Sequence, residues 1–64
     1  MMDLNVRQQT AVDAMRRGNL ATIIRGESVN LDKETYPAAM LDRLVSMGLA
    51  IRGGNNEHRF WKHK

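Results

Sequence analysis

The chain has 64 residues, of which 42% are hydrophobic and 27% are charged, with a formal net charge of +3 and no cysteine. A chain of this length builds a single domain with one small core. The lack of cysteine excludes disulfides and thiolate chemistry and makes a reducing compartment the expected one. The apolar runs are far shorter than the ~20 residues that span a bilayer. We therefore expect one cytoplasmic domain over residues 1–64.

The net charge is distributed unevenly along the chain. Residues 1–48 hold six basic and six acidic side chains, so the whole excess lies in residues 49–64. That segment combines four lysines and arginines with one glutamate, two histidines and two aromatic residues. A basic, aromatic end is typical of a surface that contacts a polyanion. The alternative is a solvated tail that keeps a small protein soluble.

The first predicted element is a helix over residues 6–17. Asn5 has the side chain of an N-cap, and Gln8 stands three residues later, as a capping box requires. Gly18 is typical of the residue that ends a helix. Apolar residues recur between these two signals at helical spacing, at Ala11, Val12 and Met15.

Residues 19–31 give two opposing signals. Leu20, Ile23 and Ile24 suggest a helical face, whereas Val29 and Leu31 alternate as they would in a strand. One interpretation is a short helix over roughly 21–29, and the other is two strand pieces that flank Arg25 and Gly26. The sequence that follows favours the helix, because Asn30 tolerates a left-handed turn and Asp32 is able to cap another helix.

A third helix is predicted to start close to Thr35 and to stop at Gly48. Pro37 is compatible with a helix only in its first turn, which fixes this start. The segment carries a wide apolar face formed by Tyr36, Met40, Leu41, Leu44, Val45 and Met47.

After Gly48 the apolar period changes from that of a helix to that of a strand. Residues 49–52 alternate, residues 53–56 (GGNN) all tolerate positive φ, and residues 57–62 alternate again. The pattern predicts a β-hairpin. Phe60 and Trp61 would point to opposite sides of its second strand, so that one completes the core and the other lies outside.

The resulting order of elements resembles the winged helix-turn-helix family. Residues 41–52 (LDRLVSMGLAIR) are similar to the segment in which the recognition helix of that family ends and enters the first wing strand. Residues 29–36 (VNLDKETY) resemble its turn, with Asn30 in place of the usual glycine and Asp32 in place of the usual serine cap. Pro37 departs from the family pattern. The resemblance implies a mainly helical α+β domain, a winged helix in which three helices are followed by a C-terminal two-stranded β-hairpin wing.

The same resemblance implies binding of double-stranded DNA, with the third helix in the major groove and the wing along the phosphates. On the helix the expected DNA-binding residues are Lys33, Thr35 and Arg43. On the wing they are Arg52, Asn55, Asn56, Arg59 and Lys62. An ion pair within the helix is the alternative role for Arg43. We expect a transcriptional regulator or accessory DNA-binding factor of bacterial, phage or prophage origin, with a homodimer raising affinity.

A protein–protein interaction module that binds and modulates a larger host or assembly protein is the alternative function. Its contact would be Trp61 if the Phe60 side of the hairpin packs inward, although packing of the single tryptophan in the core is the more common use. No catalytic motif or phosphate-cradling loop occurs, so no enzyme and no cofactor are expected. His58 and His63 are five residues apart and point to opposite sides of a strand, so no metal site is expected.

Overall fold

Two helices and five strands make up the part of the chain that the structure, a computed structural model, describes, which is residues 4–55 and 57–64. In chain order the elements are α1 (Val6–Arg16), β1 (Ala21–Arg25), β2 (Ser28–Leu31), β3 (Glu34–Pro37), α2 (Ala38–Ser46), β4 (Ala50–Gly53) and β5 (Phe60–His63). The five strands form one antiparallel sheet with the strand order β3-β2-β1-β5-β4.

The first helix is confirmed within one residue. The Asn5 side chain accepts a hydrogen bond from the backbone N–H of Gln8 at 2.8 Å, and the Gln8 side chain accepts one from the backbone N–H of Asn5 at 3.1 Å. This capping box satisfies two of the backbone donors that a helix start leaves free. Gly18 ends the helix with a φ of +101°, a conformation that glycine adopts without steric cost.

The expectation of a second helix over residues 21–29 is wrong, and with it the prediction of three helices and a hairpin wing. Residues 21–37 form a three-stranded meander. Its strands β1 and β2 agree with the other interpretation, two strand pieces that flank Arg25 and Gly26, whereas β3 was not predicted. Gly26 makes the first turn with a φ of +54°, and Asp32 makes the second with a φ of +55°. Asp32 therefore forms a β-turn instead of capping a helix. The β-branched Thr22, Ile23 and Ile24 favour this outcome, because they fit a pleated sheet better than a helix.

The second helix of the structure begins later than the sequence predicted. Pro37 ends β3 and occupies the N-cap of α2, so the helix starts at Ala38. A residue before proline is disfavoured in the helical region. Tyr36 is accordingly extended and pairs with Val29. The predicted stop at Gly48 is confirmed by a φ of +80° directly after the helix C-cap, Met47.

The predicted C-terminal hairpin is confirmed, but it is part of the sheet and not a separate wing. Arg52 pairs with Trp61 between β4 and β5, while Ala21 of β1 pairs with Trp61 from the other side. The second strand begins at Phe60, later than the predicted residue 57.

Both helices pack on the same face of the sheet. The core joins α1 and α2 to the inward residues of the strands, which include the fully buried Ala21, Val29, Leu31 and Trp61. On the opposite face the sheet residues of the described chain are exposed or half-buried, and no helix of residues 4–55 and 57–64 covers them. No described helix has the length and apolar character that crossing a membrane demands.

Candidate nucleic-acid interface

Two of the expected wing cations, Arg52 and Arg59, lie on the helix-covered side of the sheet. The Nη1 atom of Arg52 is 3.3 Å from a carboxylate oxygen of Asp42 on α2, and the Nη2 atom of Arg59 is 3.3 Å from Glu27 in the β1–β2 turn. The Arg59 side chain is only 15% exposed. Its guanidinium lies 5.9 Å from the centre of the Trp61 ring. Arg52 and Arg59 are therefore both engaged in ion pairs on the side of the sheet where Trp61 lies.

Trp61 is a core residue, so its alternative role as an exposed protein contact is wrong and its packing in the core, the more common use of a single tryptophan, is confirmed. It has no exposed surface, and its indole N–H donates a hydrogen bond to Asp42 Oδ1 at 3.0 Å. Burial of the largest side chain supplies apolar area that a small core needs, and the carboxylate of Asp42 satisfies its one polar atom.

The other predicted DNA-binding residues are spread over the molecule. Lys33 lies in the β2–β3 turn, Thr35 is exposed on β3, Arg43 is exposed on α2, and Lys62 is exposed on β5. Asn55 has a local role, because its side chain accepts hydrogen bonds from the backbone N–H groups of residues 57 and 58, each at 3.0 Å. Asn56 lies outside the described residues.

Cations collect instead at one end of the sheet. The ion pair between Arg17 and Asp32, with an N–O distance of 3.3 Å, joins the end of α1 to the β2–β3 turn. The pairing of Ala21 with Trp61 brings the start of β1, and with it the end of α1, beside the end of β5. The backbone N–H of Lys64 donates a hydrogen bond to the backbone carbonyl of Leu49, which places Lys64 beside the start of β4. We call this region the basic end, and its members are Arg16, Arg17, Lys33, Lys62 and Lys64.

The balance of charge differs between the two ends of the sheet. The five cations of the basic end stand against three carboxylates of the described chain, namely Asp32, Glu34 and Asp13, which is one helical turn before Arg16 and Arg17. At the opposite end, Arg7 in the first turn of α1, Arg25 at the end of β1 and Arg59 before β5 stand against Glu27 and Glu57. The first end therefore has the larger positive excess.

Sequence reasoning missed Arg16 and Arg17 as members of this cluster. Arg16 ends α1 and Arg17 is its C-cap, but their position at the same end of the sheet as Lys33 depends on strand order. The only sequence signal was the run of two arginines itself.

The uncovered side of the sheet presents a continuous row of residues that crosses all five strands. Cross-strand partners share a face of a sheet, and the pairing runs from Thr35 through Asn30, Thr22 and Phe60 to Gly53. The next row carries Lys62 opposite Ile51. We call this surface the open face, with the members Thr22, Asn30, Thr35, Ile51, Gly53, Phe60 and Lys62.

Phe60 is the aromatic residue of the open face. Its side chain is half-buried, and the far edge of its ring lies over Gly53, where an added Cβ would overlap with the ring. The other cross-strand neighbour is the small Thr22. Because both cross-strand neighbours are small, the Phe60 ring is not crowded by large side chains from the adjacent strands.

Tyr36 lies in the core on the side of α1. Burial raises the pKa of the Tyr36 phenol above its ordinary value, Glu34 raises it further, and the cation of Arg7 opposes this increase. The Arg7 guanidinium lies 5.2 Å from the ring centre. Among the described residues, no group of three or more histidine, aspartate or glutamate side chains is placed to hold a metal ion.

No protein family, no curated protein and no solved structure matches this chain. Kinship with the winged-helix family therefore stays a prediction, whereas the three-helix architecture that it implied is replaced by two helices on a five-stranded sheet.

Proposed function

We propose that this chain is a small DNA-binding protein, a transcriptional regulator or accessory DNA-binding factor, that holds the phosphate backbone with its basic end. The observation that carries the proposal is the concentration of five cations there against three carboxylates, which is the larger positive excess of the two ends. Four of the five cations, all except Arg17, have no ion-pair partner within residues 4–55 and 57–64. Such cations bind phosphates without first breaking an internal pair.

The mode of contact differs from the one expected from the sequence. Arg52 and Arg59 have acidic partners, and the nine-residue α2 presents Arg43 beside Asp42. A recognition helix in the major groove is therefore not supported by the fold. Phosphate contact by the basic end does not depend on such a helix, and duplex and single-stranded DNA both offer phosphates.

The test is a fluorescence-anisotropy titration with duplex and single-stranded oligodeoxynucleotides between 50 and 200 mM salt. Phosphate contacts by four cations predict a slope of about −3 to −4 for log Kobs against log[salt] on B-DNA. One double variant carries both Lys33→Ala and Lys62→Ala and removes two positive charges from the basic end. The matched control carries both Arg25→Ala and Arg43→Ala and removes two positive charges elsewhere.

The basic-end variant is expected to bind more weakly and to have a salt slope smaller by about 2, while the control stays close to wild type. Equal losses in the two variants would mean that only net charge matters. No binding by the folded wild-type protein at 50 mM salt would reject the proposal.

A second candidate is the protein-interaction module, and the observation in its favour is a shallow depression on the exposed side of α2. Its walls are mostly apolar and come from Ala39, Met40, Asp42, Arg43, Ser46 and Met47. An Ala39→Arg variant fills this depression and leaves the basic end intact. Retained DNA binding together with loss of a specific protein partner in this variant would assign α2 to protein contact.

A further inference from the structure

We propose that the open face binds single-stranded nucleic acid, with Phe60 as a platform on which a base stacks and with Lys62 contacting a phosphate. This inference rests on the proposed function and adds the strand form of the ligand. It starts from the row across the sheet, in which the aromatic ring of Phe60 follows the exposed side chains of Thr35, Asn30 and Thr22.

The chemistry of this row suits unpaired bases. A base released from a duplex exposes a flat aromatic surface and hydrogen-bonding edges, and it gains binding energy by stacking on an aromatic side chain. Thr22, Asn30 and Thr35 are exposed and offer hydroxyl and amide groups that donate and accept hydrogen bonds. Phe60 supplies the ring, and Ile51 adds apolar surface that is 40% exposed.

The position of Phe60 is fixed from below. The next residue, Trp61, is anchored in the core and hydrogen-bonded to Asp42, so β5 holds the Phe60 backbone in place. The cross-strand neighbours of Phe60 are Gly53 and Thr22, so no large side chain stands directly beside the ring on these two strands. A stacking platform needs this combination of a fixed backbone and small cross-strand neighbours.

The charge on the open face agrees with this ligand. Lys62 is exposed on the same face as Phe60, two residues along β5, and belongs to the basic end. A strand whose base stacks on Phe60 therefore has a cation within reach of its backbone, and the remaining basic-end residues continue the positive region beyond the sheet.

The size of the face argues against a duplex as its ligand. Five strands at a spacing of about 4.8 Å span about 19 Å from the first to the last. The major groove is about 12 Å wide and admits a helix or a two-stranded ribbon. A five-stranded face does not enter it, and the bases of an intact duplex remain stacked on one another, beyond the reach of Phe60.

The experiment is an anisotropy titration of the whole chain with a 20-nucleotide oligothymidine, its oligouridine counterpart and a 20-base-pair duplex at one fixed salt concentration. The key variant is Phe60→Leu, which keeps an apolar side chain over Gly53 but removes the aromatic surface. Phe60→Tyr restores an aromatic ring. Val6→Ala is the matched control, because it shortens an exposed apolar residue of α1, which lies outside the open face.

We expect the single strands to bind more tightly than the duplex. Phe60→Leu should weaken single-strand binding by about 5- to 150-fold, the range of one lost base stack. Phe60→Tyr should stay within about 3-fold of wild type, as should Val6→Ala. Circular dichroism of each variant checks folding, and the Leu and Tyr variants together separate loss of the ring from loss of structure.

Three results would overturn the inference in distinguishable ways. Tighter binding to the duplex, or an unchanged affinity of folded Phe60→Leu, would reject the open face as a single-strand site while leaving the basic end as a DNA contact. No binding to any of the three oligonucleotides would reject both proposals. Self-association of the wild type in sedimentation velocity, abolished by Ile51→Lys, would assign the face to a second copy of the chain.

Discussion

Phe60 and Trp61 are neighbours on β5, yet they lie on opposite faces of the sheet and have different roles. Trp61 is fully buried between the sheet and the helices, whereas Phe60 is half-buried on the open face. The strand repeat of two residues enforces this separation. The comparison shows that the aromatic residue available for a ligand is not the larger one, because the core of so short a chain needs the tryptophan.

The largest effect is expected from Trp61→Ala. Truncation of a buried tryptophan removes the transfer free energy of the ring and leaves a cavity, at a cost of about 3–5 kcal/mol. The loss should be measured as a fall in the free energy of unfolding by urea denaturation. Phe60→Ala is the matched control, and we expect it to cost only about 1 kcal/mol because its ring is half-buried. A similar fall in the free energy of unfolding in both variants would contradict the conclusion that the core depends on Trp61 and not on Phe60.

The Asp42 carboxylate explains how a tryptophan is accommodated on the inner face. Its Oδ1 accepts the indole N–H of Trp61 at 3.0 Å and lies 3.3 Å from Arg52. Asp42→Ala leaves the indole donor buried without an acceptor and should cost about 1–3 kcal/mol.

Asp42→Asn is the informative control for that variant. Its amide oxygen still accepts from the indole, so only the exposed ion pair with Arg52 is lost, which contributes about 0–1 kcal/mol. Thermal denaturation of the two variants should therefore separate them clearly. If asparagine destabilises as much as alanine, the charge and not the hydrogen bond holds Trp61.

Two adjacent glycines provide a smaller test on the open face. Gly54 has a φ of +84°, and a Cβ there would overlap with the backbone carbonyl of His58, so Gly54→Ala should cost at least about 1–2 kcal/mol. A Cβ at Gly53 would overlap only with the Phe60 ring, which is free to swing outward. We expect Gly53→Ala to change the free energy of unfolding by less than about 1 kcal/mol, since the gain of alanine in a strand offsets the lost contact. An equal cost at both positions would show that the ring is locked on Gly53.

The sequence predicted the elements with strong local signals and missed those that depend on long-range pairing. The capping box of Asn5 and Gln8 and the stop at Gly18 are local, and the first helix was predicted within one residue. The hairpin was predicted from its alternation and its glycines. Residues 21–31 have weak local preferences in both directions, and the pairing of β1 and β2 with each other and with β5 and β3 favours strands.

The same distinction applies to the candidate site. Net charge identified residues 49–64 as basic, but sequence alone could not assign Arg52 to Asp42 or Arg59 to Glu27, because these partners are separated by 10 and 32 residues. Nor could it place Arg17 beside Asp32, or Thr22, Asn30 and Thr35 in one row with Phe60. Each of these neighbourhoods follows from strand order and register.

The smallest predicted effect concerns the second aromatic residue of the inner face, Tyr36, and the dependence of stability on pH. Burial raises its pKa, so the folded protein holds the phenolic proton more tightly than the unfolded chain does. Stability is therefore complete below the ordinary tyrosine pKa of about 10 and falls as the pH rises through the higher folded-state value. Tyr36→Phe removes this contribution, so the difference in unfolding free energy between wild type and variant should be constant from pH 7 to 9 and move in favour of the variant above about pH 10. A difference that stays constant up to pH 12 would show that the phenol ionises equally in the folded and unfolded states, which would contradict the raised pKa of Tyr36.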